Sequence, residues 1–305
     1  MGSIASEGTH EFPPYFRVYN DGRVERFKVL ADYSPPSVDP ETGVESKDVV
    51  ISEETGVKVR IFLPKINCLD QTKLPLLVHY HGGAFCVGSS LDVVTTRLLN
   101  LQTSVANVVT VSVDYRLAPE HPLPIAYDDS WSALQWIATH LNGKGPELWL
   151  NEHVDFGRVF LTGDSVGANI AQHLAVRLGV TRLDGFRVRG AVMVHPYFAV
   201  SEPDKMIQYL YPGSSGTDSD PKLNPKADPD LEKMGCEKVL VFVAEKDWFK
   251  PRGVEYCETL KKSEWKGTVE LVENEGENHV FHVPNPACEK ALLLMQKLAS
   301  FVNQG

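Results

Sequence analysis

The chain has 305 residues, of which 43% are hydrophobic and 23% charged, enough to bury a sizeable core and unlike a disordered polymer. Its formal net charge of −10 disfavours nucleic acid or an anionic membrane surface as a partner. No apolar stretch approaches the roughly 18 residues of a membrane span, so no stable membrane association is expected.

The amino-terminal stretch MGSIASEGTHEF has neither a basic region nor an apolar centre, so it does not read as a secretory signal. MGSIAS matches the acylation pattern at Gly2 and Ser6, but Glu7 follows at once and no polybasic second anchor accompanies it. The five cysteines, Cys68, Cys86, Cys236, Cys257 and Cys288, are odd in number and lack C-x-x-C spacing. They are expected to be free thiols in a reducing, cytoplasmic setting.

FRVYNDGRVERF (16–27) alternates apolar and polar residues about Asn20-Asp21-Gly22, which predicts a hairpin. DVVIS (48–52) and VKVRIFLP (57–64), split at Thr55-Gly56, predict a second. Short, Val-rich apolar runs then follow at 74–80, 108–115, 158–163, 189–195, 238–244 and 268–273. Continuous runs of this kind suit strands covered on both faces. Amphipathic segments lie near 125–140, 167–178, 251–263 and 285–303; in the second, Ile170, Leu174 and Leu178 recur every four residues and Gly179 is expected to stop the helix. The alternation predicts an α/β fold with a mainly parallel sheet. Two proline-rich regions break the rhythm, at 1–45 and 200–230, and both are candidates for a cap over a site.

Ser165 stands between Gly163 and Gly167 in LTGDSVGANIAQH, after a strand and before a helix. Chance alone puts G-x-S-x-G into roughly one chain in ten of this length. The strand–turn–helix context adds weight, because it exposes the serine hydroxyl on a sharp elbow where flanking side chains would collide. HYHGGAF (79–85) offers the amides of Gly82 and Gly83, which with that of Val166 suit an oxyanion hole. FVAEKDW (242–248) offers two acids; Asp247 is preferred over Glu245, which should close the strand. Of the two histidines in ENEGENHVFH, His279 is preferred as base over His282 because a polar loop precedes it. The order Ser, Asp, His suits a nucleophile, an orienting acid and a base delivered to one sheet edge. No H-E-x-x-H pattern is present, and neither a metal nor an organic cofactor is required. Candidate substrate-facing residues are Phe85, Val87, Trp248, Val280, Tyr209 and Tyr211; Met206, Ile207 and Leu210 belong to the same cap stretch. Arg116 and Glu120 read as a buried pair holding a loop, and Asp128 and Asp129 as structural acids at a helix start.

HGGAF, DYRLAPEHPLP (114–124), GDSVGAN (163–169), AEKD (244–247) and GENHVFH (276–282) together resemble the plant carboxylesterases of the hormone-sensitive-lipase branch of α/β-hydrolases. The likeness extends over nearly the whole chain. It implies one domain spanning 1–305, with an eight-stranded, mostly parallel sheet flanked by helices. A small cap would come from the amino terminus (1–45) and an insertion near 200–225, after the sixth strand. It also implies Ser165 as nucleophile, Asp247 as acid and His279 as base, acting on small esters through an acyl-enzyme. Ala84 replaces the third glycine common in such loops, a methyl that would be tolerated if its φ stays negative. Relatives include gibberellin receptors, which lack the functional histidine, and dehydratases with threonine as nucleophile. A specialised dehydratase or cyclase, or a non-catalytic receptor of small molecules, is therefore the alternative reading.

Overall fold

The computed structural model describes residues 8–27, 32–66 and 72–304. Gly2 and Cys68 lie outside them, and so does the question of acylation. Three short strands, β1 (Gly8–Phe12), β2 (Phe16–Tyr19) and β3 (Val24–Arg26), form an antiparallel sheet of their own. The predicted hairpin is its β2–β3 half, and Gly22 takes the positive φ of 83° that the turn requires. In β2 the pleat buries Phe16 and Val18 and turns Arg17 and Tyr19 outward.

The large sheet contains β4 (Glu45–Val50), β5 (Lys58–Leu63), β6 (Leu74–Tyr80), β7 (Val109–Asp114), β8 (Val154–Asp164), β9 (Val188–Val194), β10 (Lys238–Ala244) and β11 (Thr268–Asn274). Their order is β11-β10-β9-β8-β6-β7-β5-β4. Pairing is parallel from β11 through β7, and the second predicted hairpin, β4–β5, supplies the antiparallel edge. Central strands are buried on both faces, which is why β6 and β10 read as unbroken apolar runs.

Alternate residues of these strands feed two cores. Val78, Leu161, Met193 and Val241 meet Leu134 of α2 (Ile125–Ala138), Leu174 of α4 (Val166–Thr181) and Tyr256 of α6 (Lys250–Lys262). Leu77, Phe160, Val192 and Leu240 meet Leu294, Leu298 and Phe301 of α7 (Glu289–Asn303), with Ala106 of α1 (Val93–Ala106). Each such buried side chain contributes about 1.5–3 kcal/mol. The remaining helices are short: α3 (Leu148–His153) and α5 (Lys205–Leu210).

Two expectations need correction, and one helix had none. Helix α4 does not stop at Gly179 but runs to Thr181. Gly179 is a packing glycine instead, since a Cβ there would lie 1.6 Å from the Lys233 carbonyl oxygen. Helix α1 was not foreseen, because VVTTRLLNLQTSVA is rich in β-branched residues of low helix propensity. Its start is set by Asp92, whose Oδ1 accepts from the Thr95 amide at 2.7 Å, and its buried face packs beside α7. Finally, Arg116 and Glu120 do not pair. Arg116 makes a two-pronged contact with Asp129 at 2.7 and 2.9 Å, and Glu120 takes Arg26 of β3 at 2.6 and 2.7 Å.

The Arg26 contact ties the small sheet to the large one. Arg26 Nε also donates to the carbonyl of Cys86 at 2.6 Å. Phe16 and Val18 share an apolar cluster with Cys86, Val87, Ala118 and Leu210, so the amino-terminal sheet, the 82–88 loop and α5 pack as one layer.

Candidate active site

Parallel strands point their carboxyl ends toward one edge, and β8, β10 and β11 each release a loop there. Ser165 follows β8 with φ 55° and ψ −118°, a conformation that costs a non-glycine residue about 1–3 kcal/mol. Three backbone hydrogen bonds hold it. The Ser165 amide donates to Val194 at 3.0 Å, and its carbonyl accepts from Tyr197 at 3.0 Å and Asn169 at 3.3 Å. Both flanking glycines are sterically required. A Cβ on Gly163 would meet the Gly167 backbone at 2.3 Å, and one on Gly167 the Tyr80 carbonyl at 2.0 Å.

His279 Nε2 lies 3.0 Å from Ser165 Oγ, and His279 Nδ1 lies 2.6 Å from Asp247 Oδ2. With Nδ1–H donating to the carboxylate, Nε2 is left to accept the serine proton. Asp247 is buried, and its Oδ1 accepts from the Phe249 amide at 2.8 Å. Burial pushes its carboxyl pKa up, but the hydrogen bonds from His279 and Phe249 outweigh this and hold it below the usual range. Glu245 has a different task, accepting from the Gly276 amide at 2.6 Å in the turn before His279. His282 is buried, with its ring 5.7 Å from that of His195.

Gly82, Gly83 and Val166 line the same cavity as Ser165 and His279, a space of about 530 Å³. Gly83 has φ 111°, and a Cβ there would lie 2.0 Å from the Val87 carbonyl oxygen. The amides of Cys86 and Val87 donate back to the Gly83 carbonyl at 3.0 and 2.9 Å and close the turn. His81 stacks on Tyr115 with centroids 4.2 Å apart, and the tyrosine hydroxyl donates to the His81 carbonyl at 2.7 Å. The expectation for Ala84 fails here. Its φ is +53°, and Phe85 follows at +61°, so the loop holds two successive non-glycine residues in the left-handed region.

Of the six side chains expected to face substrate, Val87 and Val280 line the cavity. Phe85 instead turns into the core against Tyr127, at 5.7 Å. Trp248 points outward and is 76% exposed. Tyr209 packs on Phe12 at 5.1 Å within the layer beneath the small sheet, and Tyr211 packs against the main core. The wall is completed by Tyr15 of the β1–β2 turn, Met206 and Ile207 of α5, Tyr197, and Phe249. Met206 and Ile207 were singled out by their place in the 200–230 cap stretch, while Tyr15 was covered only by the 1–45 cap region as a whole. Phe249 lies two residues beyond Asp247 and was as accessible to that logic as Trp248.

Donor atoms of His195, Asp247 and His279 lie within 4.8 Å of one another, a spacing that a metal ion could use. Here they already serve other partners. The last two bond each other, while His195 accepts from the Val280 amide at 2.9 Å and meets Asn274 Oδ1 at 3.0 Å.

Residues 77–283 match the family model of the alpha/beta hydrolase fold, and the chain belongs to that family. It is 44% identical to a 2-hydroxyisoflavanone dehydratase of Glycyrrhiza echinata over 98% of both chains. It is 43% identical to probable carboxylesterase 5 of Arabidopsis thaliana over 98% of this chain and 99% of that one. Within the family it therefore stands in the plant carboxylesterase branch. An esterase from the archaeon Pyrobaculum calidifontis superposes with a TM-score of 0.70 at 25% identity, covering 85% of each chain.

Two of the histidines near the site are deeply buried. Burial pushes the pKa of His195 down to about 4 and that of His282 to about 3. The folded chain then excludes protons that the unfolded chain binds below about 6.5, so stability falls as the pH drops through that value toward 4. Each histidine costs on the order of 2–3 kcal/mol by the end of that window. The thermal unfolding midpoint, followed by circular dichroism, should decline steadily from pH 7 to 4.5; a flat profile would show that these rings are not held neutral.

Proposed function

We propose that the protein hydrolyses small, uncharged carboxylic esters by two-step acyl transfer through Ser165. The observation that carries this reading is the continuous chain Asp247–His279–Ser165, with links of 2.6 and 3.0 Å, at a strained elbow on the cavity wall. His279 takes the hydroxyl proton as Ser165 attacks the ester carbonyl. The developing oxyanion is received by the amides of Gly82, Gly83 and Val166. His279 then protonates the leaving alcohol, activates a water, and the acyl-serine is cleaved. Asp247 keeps the imidazole in the productive tautomer throughout.

In this reading the whole chain is one hydrolase unit, capped by the amino-terminal sheet and the 200–225 stretch. Tyr15 and Met206, one from each, reach the cavity wall in support. A reducing cytoplasmic setting accords with Cys86, Cys236, Cys257 and Cys288 being free thiols. No helix among the described residues is long and apolar enough to cross a membrane.

The dehydratase relative supports a second reading, elimination of water from a hydroxylated substrate with His279 as base. The two part at the serine. Ser165→Ala should lower turnover of 4-nitrophenyl butyrate by more than about 10³-fold, whereas the elimination reading predicts no ester turnover in the parent for the substitution to remove. Undiminished ester turnover in that variant would overturn the acyl-enzyme mechanism.

The cavity wall also suggests which esters fit. It includes the carboxylates of Asp92, Asp164 and Asp204 and, among the described residues, no lysine or arginine. A negative charge on the acyl chain meets like charges there and no lysine or arginine to offset them. The kcat/KM for a 4-nitrophenyl hemisuccinate should therefore be at least about tenfold below that for the butyrate, a difference of about 1.4 kcal/mol. Equal rates would contradict this account of the wall.

A further inference from the structure

His195 follows β9 and is 1% exposed, yet it does not line the cavity and makes no hydrogen bond to the catalytic side chains. Its backbone is left-handed, φ 47°, and its amide donates to the Phe242 carbonyl of β10 at 2.9 Å. This turns the imidazole toward the loop that carries His279. Nδ1 accepts the amide hydrogen of Val280 at 2.9 Å, so the ring proton resides on Nε2 and is donated to Asn274 Oδ1 at 3.0 Å.

Both partners matter to His279. Val280 is the next residue, and it too is left-handed at φ 47°, a conformation unfavourable for a β-branched side chain. One side-chain acceptor fixes its amide. Asn274 ends β11, and its carbonyl accepts from Glu245 at 3.1 Å and Glu277 at 3.4 Å. Through this one asparagine, the turn after β10 that delivers Asp247 and the loop that delivers His279 are joined.

We propose that His195 is a positioning residue: its Nδ1 holds the strained Val280 amide and so sets His279 Nε2 within reach of Ser165 Oγ. It rests on His279 being the base, as argued above. It does not involve substrate contact, so binding should be spared while turnover suffers. A displacement of about 1 Å at a reacting group can cost on the order of 10²-fold.

Two substitutions separate positioning from bulk stability, because the amide atoms of Asn and Gln stand near different ring nitrogens. His195→Asn can place Oδ1 where Nδ1 was and keep the Val280 bond. His195→Gln can reach Asn274 but leaves the Val280 amide without an acceptor. Steady-state hydrolysis of 4-nitrophenyl butyrate and thermal midpoints would be measured for both. The expected result is that His195→Gln loses about 10²-fold in kcat with KM within about threefold of the parent, while His195→Asn loses less than about tenfold. Parent-like kcat in His195→Gln, or equal losses in both variants, would overturn the proposal. Should His195→Gln not fold, His195→Asn decides alone: a loss below tenfold supports positioning and a larger one contradicts it. If the parent itself does not hydrolyse esters, it is the proposed function that fails and not this assignment.

Discussion

The constraint on which the site depends is the closeness of two backbones, Gly167 at the start of α4 and Tyr80 at the end of β6. No Cβ fits between them, since it would lie 2.0 Å from the Tyr80 carbonyl oxygen. That contact seats the helix amino terminus directly on the sheet edge and forces the chain through a turn of about one residue. Ser165 absorbs the turn in an unfavourable conformation, and its side chain is presented to the cavity it shares with His279. Strain of a few kcal/mol is sustained there by the backbone bonds to Val194, Tyr197 and Asn169.

The other parts follow from sheet order. With β8 central and β9, β10 and β11 running parallel beside it, the loops after β8, β10 and β11 converge at one edge. Asp247 and His279 then need only short excursions to reach the serine. The same edge carries further left-handed residues, His195 after β9, Val280 in the loop after β11, and Ala84 and Phe85 in the loop after β6. Strain is concentrated where groups have to converge, while the sheet interior is regular.

Much of this was legible in the sequence because its signals are local. The runs at 74–80 and 238–244 match β6 and β10 residue for residue, since strands buried on both faces admit little besides apolar side chains. Ser165, Asp247 and His279, whose side chains the structure brings together, were picked out by motif and order, as each follows soon after a strand end. What failed was non-local. The partner of Arg116 is Asp129 and that of Glu120 is Arg26, a choice made by how loops pack. Gly179 looked like a helix stop, yet it answers to Lys233 on another segment. Phe85 and Trp248 adjoin the site loops in sequence but turn away from the cavity, because side-chain direction in irregular backbone has no period to read. Tyr15 fell within the 1–45 cap region but was not singled out, being 150 residues from the serine whose cavity it walls.

The central claim is that Ser165 is a nucleophile activated through His279. Its most direct test is reaction of the protein with a fluorophosphonate, followed by peptide mass mapping of the adduct. The account predicts one phosphonyl group per chain, located on Ser165. Failure to label at all, or labelling confined to another residue, would contradict it.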